Sequence, residues 1–157
     1  MEGELLEHAS WTWGLSLIVL TITIHATAVV MMALAGAQIR ARLERRRLGL
    51  RCVIPIVIGV LALVGLLLVV LHGVEAAIWA AAYLWLGALG SPTDAVLYSV
   101  GAMTTAGSAL TLAGHWRMVG ALESAGGMLL FGISTAYMFA VMQVYWPMLY
   151  PPGHKKT

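Results

Sequence analysis

Long apolar runs broken by a few compact polar clusters dominate this chain. Gly14 to Ile39, Cys52 to Val74 and Ser124 to Gly153 contain no Lys, Arg, Asp or Glu. Each exceeds the ~20 residues a helix needs to cross a ~30 Å hydrocarbon core. The pattern predicts three membrane-spanning helices, at 14–39, within 52–89 and at 117–146. Between the last two lies a shorter segment, DAVLYSVGAM from Asp94 to Met103. Ser91-Pro92-Thr93-Asp94 ahead of it reads as a helix start, with a polar cap and an acid in the first turn. Ten residues reach only ~15 Å, half a membrane. The Thr- and Gly-containing stretch that follows, to Leu110, breaks the helical pattern. A half-length helix followed by irregular backbone predicts a re-entrant pore helix and filter-like loop at 94–110. Such backbone is tolerated at membrane depth where protein or a water-filled cavity satisfies it.

Composition agrees with this reading. Of 157 residues, 61% are hydrophobic and 10% charged, too apolar for a soluble domain of this size. The fold class expected is an all-α membrane protein. The acidic start lacks the basic region of a secretory signal, so the first span is expected to be retained. Cys52 is the only cysteine, which excludes an intrachain disulfide or a multi-cysteine metal centre.

Charge placement sets the expected orientation. Six of the nine basic residues lie in RARLERRRLGLR, Arg40 to Arg51, and Lys155 and Lys156 lie near the C-terminus. The first residues carry Glu2, Glu4 and Glu7 and no base. The positive-inside bias predicts an extracytoplasmic tail at 1–13, a basic cytoplasmic loop at 40–51 and a cytoplasmic C-terminal tail. The basic loop is expected to contact lipid headgroups rather than nucleic acid. Trp11, Trp13, Trp79, Tyr83, Trp85, Trp116, Tyr145 and Trp146 fall near span ends and read as interfacial anchors.

Tyr98-Ser99, Thr104-Thr105-Ala106-Gly107-Ser108-Ala109, Trp116-Arg117, Gly126-Gly127 and Phe131-Gly132 follow one another in an order that resembles the pore module of tetrameric potassium channels. With LHGVEAAIWAAAYLWLGAL upstream, the chain resembles small three-span bacterial ion-channel proteins carrying a potassium-channel domain, here at 52–157. The resemblance implies a homotetramer in an inner membrane, an outer helix at 52–89, a pore helix with its filter and an inner helix at 117–146. It assigns the ion filter to Thr104, Thr105, Ala106, Gly107, Ser108 and Ala109, and the gating hinge to Gly126, Gly127 and Gly132. It implies no cofactor beyond a permeant monovalent cation, potassium or sodium. The family filter reads Thr-Thr-Val-Gly-Tyr-Gly-Asp. This chain has Ala106 for Val, Ser108 for Tyr, Ala109 for the second Gly and Leu110 for Asp. A carbonyl-lined filter uses residues with positive φ, which glycine adopts freely, so Ala109 is expected to bend the outer filter. Weakened selectivity follows.

Four ionisable residues fall within the apolar spans: His25, His72, Glu75 and Glu123. His72 and Glu75, three apart, share a helix face. Counted from Arg40 and Arg51, His25 stands ~9 and ~13 Å from their level, an offset that speaks against one metal site, so no metal is expected. Glu75 with Arg117 or Glu123 reads as a polar network behind the filter. Gly120, Ser124, Gly127, Ser134 and Thr135 give the third span a small, mildly polar face, suited to packing or pore lining. The nine methionines are scattered and read as packing. No catalytic triad or nucleotide loop is present, so no enzyme is expected. The expected function is a cation channel with a degenerate filter. The alternatives are a nonconducting membrane subunit that keeps the channel fold, and a transporter or metal-handling protein using His72 and Glu75.

Overall fold

The computed structural model describes residues 2–45 and 50–149. The middle of the basic loop and the C-terminal tail with Lys155 and Lys156 lie outside the described residues. Four α-helices follow in order: α1 Glu2–Arg45, α2 Leu50–Trp85, α3 Pro92–Met103 and α4 Arg117–Leu149, the last entered through a short 3-10 turn, Gly114–Trp116. The protein is all-helical, and α1, α2 and α4 are each long and apolar enough to cross a membrane.

The long helices outrun their apolar stretches. α1 continues through the segment read as a tail and well into the arginine run, because Leu, Arg, Glu and Ala are strong helix formers whether or not lipid surrounds them. α2 stops at Trp85, and Gly87 takes a left-handed φ of 67° to turn the chain. α3 begins as its residues dictate. Ser91 is the N-cap, its hydroxyl accepting from the Asp94 N–H at 3.4 Å, and Pro92 stands first in the helix, where its missing N–H costs nothing.

α3 runs back alongside α2 and lodges between α2 and α4. The Ser99 hydroxyl lies 2.9 Å from the carbonyl of Ala76, nine residues before the end of α2. The end of α3 meets α4 at Gly127, where an added Cβ would strike the Met103 backbone. Gly127 is ten residues along α4, so α3 penetrates ~15 Å into the bundle. Gly120 admits the Tyr98 ring in the same way one stage earlier.

The core forms around α3. Leu17 of α1, Ala76, Trp79 and Tyr83 of α2, Met103 and Leu112 beside α3, and Val119 and Leu130 of α4 pack as one cluster. Trp79, Tyr83 and Tyr145 are among the most deeply buried side chains, which corrects their reading as interfacial anchors. They sit near helix ends but on inward faces, Trp79 and Tyr83 in the cluster around α3 and Tyr145 against α1 near Gly36. Trp11, Trp13, Trp85 and Trp146 are exposed, and Trp13 and Trp85 meet edge to face with centroids 5.0 Å apart. α1 packs chiefly on α4 and only lightly on α2.

Candidate functional site: the α3 loop and two buried polar clusters

The chain after α3 does not leave the bundle directly. Thr104 caps the helix, its N–H bonded to Val100 O, and Thr105 donates to Ala102 O at 3.0 Å. The Gly107 N–H then returns to Gly101 O at 3.1 Å. Gly101 permits this fold-back, because a Cβ there would collide with the carbonyl of Gly107. Two residues turn the backbone left-handed: Thr105 at φ 56° and Gly107 at φ 81°. Gly107 is suited to this. Thr105 is the one non-glycine with positive φ among the described residues, and for a β-branched residue that conformation costs ~1–2 kcal/mol. Ala109 does not adopt it. The strained position of the loop is therefore Thr105, one step after the helix cap, where glycine is usual. All six residues from Thr104 to Ala109 are exposed on the single chain, while Leu112 beyond them is buried and pins the return to the core.

The glycines assigned to a hinge have three different surroundings. α4 is continuous through all of them. Gly127 is the contact point for Met103, Gly126 faces Ile18 of α1, and Gly132 has open space where a Cβ would stand. The small face of α4 is divided as well. Gly120, Gly127 and Ser134 are buried against other helices, whereas Thr135 is exposed and bonds back to Phe131 O at 2.8 Å.

Directly behind α3 lies the first polar cluster. Glu123 of α4 is fully buried. It accepts from the Tyr83 hydroxyl of α2 at 2.6 Å and meets the Ser99 hydroxyl of α3. One carboxyl thus joins three elements at the depth of α3's middle. Sequence reasoning placed Glu123 behind the filter but missed both partners. Tyr83 reads as an anchor and Ser99 enters only as part of the pore-module resemblance, and neither carries a local signal of a partner.

The second cluster lies deeper along α2 and α4. His25 Nδ1 is 2.9 Å from Glu75 Oε1, and His72 Nδ1 is 3.1 Å from Glu75 Oε2. On the far side, His72 Nε2 and His25 Nε2 stand 3.0 and 3.2 Å from the Ser134 hydroxyl. The four side chains close a ring across α1, α2 and α4, with His25 and Glu75 at 0% exposure. Phe131 stacks on His72 at a centroid distance of 4.1 Å. This overturns the depth argument against bringing His25 to His72 and Glu75. The count from Arg40 and Arg51 takes the two arginines to stand at one level, but α1 runs on past Arg40 to Arg45. Arg40 therefore does not mark a helix end, and the side-chain contacts put His25 level with His72 and Glu75. Glu75 therefore pairs with the histidines and not with Glu123, and Arg117 is exposed. The polar network expected as one is two.

No known protein family, curated protein or solved structure matches this chain.

Proposed function

We propose that the chain is the subunit of a four-chain membrane channel that passes monovalent cations, potassium or sodium, along an axis lined by Thr104 to Ala109. The observation that carries this reading is the placement of α3. It is a half-length helix seated between two long apolar helices, and it ends ~15 Å in, at Met103 against Gly127. A loop turned by two left-handed residues follows it, with Thr104 to Ala109 exposed on the single chain. In a membrane that backbone needs partners, and lipid supplies none. Four copies facing one another around a hydrated axis would supply them, with carbonyls and the Thr105 hydroxyl in place of an ion's water. Val96, Leu97 and Val100 on α3 and Met128 and Leu129 on α4 are exposed large apolar residues, suited to neighbouring subunits or to lipid.

In this reading α3 is re-entrant and the chain is a multi-pass inner-membrane protein. The N-terminus lies outside and the arginine-rich segment in the cytoplasm, which follows from the basic residues between α1 and α2. Ser108 and Ala109, where the resembling channels carry Tyr and Gly, lower discrimination between potassium and sodium.

One loop cannot surround an axis, so the number of chains is decisive. Native mass spectrometry of the protein released from detergent micelles is expected to show four chains. A stable monomer or dimer in every mild detergent would exclude the pore and favour the other reading of the same fold, a nonconducting membrane subunit.

A further inference from the structure

Two imidazoles, a carboxylate and a hydroxyl close together in an apolar bundle present a donor problem. Both Nδ1 atoms face Glu75, and both Nε2 atoms face Ser134. A neutral imidazole carries one N–H. If each spends it on the carboxylate, two bare Nε2 atoms are left facing a hydroxyl with a single hydrogen, which serves one of them. With neutral rings the arrangement closes if a cation occupies the carboxylate side. Then both Nδ1 atoms are free to bind it, and both Nε2–H groups donate to the two lone pairs of Ser134.

We propose that His25, His72 and Glu75 bind one divalent transition-metal ion of the zinc type, with Ser134 orienting both imidazoles from behind. The donor atoms lie within 4.8 Å of one another. Glu75 Oε1 lies 2.9 Å from His25 Nδ1 and its Oε2 3.1 Å from His72 Nδ1, so the carboxylate stands between the two imidazoles. A small turn of the carboxyl would set one oxygen at the ~3.3 Å that separates neighbouring ligands of a tetrahedral ion with ~2.0–2.1 Å bonds. Two imidazole nitrogens and one carboxylate oxygen suit zinc and its neighbours. They do not suit calcium or magnesium, which take six or more oxygens or keep several waters. Three protein ligands leave a fourth position for water. The ligands come from α1 and α2 and their support from α4, so an ion would tie all three long helices together two residues beyond Gly132. Ser134 fills the place of the hydrogen-bond acceptor that metal-bound histidines regularly have on their other nitrogen. His72, the one ligand with some exposure, borders with Ser134 an apolar cleft of about 650 Å³ between α2 and α4, lined by Leu68, Val69, Phe131 and Met138.

The site is independent of ion passage at the α3 loop and is tested by binding alone. Full-length protein in detergent would be dialysed against micromolar Zn²⁺ and its metal content measured, with Co²⁺ as a spectroscopic probe. The expected result is one ion per chain, and with Co²⁺ the visible absorption of a four-coordinate site. The same stoichiometry is expected after His8, His115 and His154 are replaced together by alanine. Glu75→Gln and His72→Gln, near in shape to the residues they replace, should lose the ion. Ser134→Ala should bind it ~10–100-fold more weakly, as loss of a supporting partner does. No ion in folded wild-type protein would overturn the proposal. Undiminished binding in Glu75→Gln and His72→Gln would overturn it equally, by placing the metal elsewhere.

Discussion

Replacing Gly127 by alanine is expected to push α3 off α4, while the same change at Gly132 leaves the fold intact. The two glycines lie on one helix five residues apart, and both were assigned to a hinge by resemblance. Their surroundings differ. A Cβ on Gly127 meets the Met103 backbone, with Cα at 2.7 Å and the carbonyl carbon at 2.9 Å, whereas one on Gly132 meets nothing within 4 Å. A side chain can rotate away from a new methyl group, but the end of a helix pinned by its neighbours cannot. Overpacking of this kind costs ~1–3 kcal/mol, and a backbone obstacle puts Gly127→Ala at the upper end. Gly132→Ala removes a flexible residue from a helix interior and gains up to ~1 kcal/mol. For a domain of this size the loss corresponds to a fall in Tm of several degrees. Thermal unfolding in detergent, followed by tryptophan fluorescence, compares the two directly. Equal melting of both variants would mean that α3 does not seat on α4 as described.

Glu123→Ala is expected to be the most damaging single change to the α3 seat. The carboxyl is fully buried and accepts from Tyr83 while touching Ser99. Removing it opens a cavity and strands the Tyr83 hydroxyl of α2, while the Ser99 hydroxyl loses its link to α4 and keeps only the Ala76 carbonyl. Cavity and unmet hydrogen bond together amount to ~3 kcal/mol or more. Glu123→Gln keeps the volume and one acceptor oxygen, so its loss should be the smaller, by ~1 kcal/mol or more. Chemical denaturation of both variants beside Tyr83→Phe checks this ordering. If Glu123→Ala is no less stable than Glu123→Gln, the cluster is not what holds α3 in place.

The elements were largely legible in the sequence because they rest on local causes. Three uncharged runs longer than a membrane predict α1, α2 and α4. Ser91 and Pro92 announce α3, and Gly107 marks the turn after it. The site was only half legible, because its connections are long-range. Ser134 lies 109 residues from His25 and 62 from His72, and no periodicity relates them. Depth counted from charge edges failed, since α1 runs on past Arg40 to Arg45 and the first arginine of the run does not mark a helix end. Tyr83 and Trp79 show the ambiguity of aromatic residues near helix ends, where only packing decides between interface and core. The left-handed turn at Thr105 was not legible, because the residue pattern marks where glycine is missing but not which other residue takes a positive φ.

Potassium and sodium flux into liposomes, driven by concentration gradients across a range of voltages, decides whether cations pass through the α3 loop. The wild type should be compared with Thr105→Ala and with Gly107→Ala, whose alanine is disfavoured at a φ of 81°. Cation flux with a modest preference between the two ions is expected, abolished or reordered by both substitutions in protein that still assembles. Flux that neither substitution alters, or no flux from an intact assembly of four, would contradict a cation path through Thr104 to Ala109.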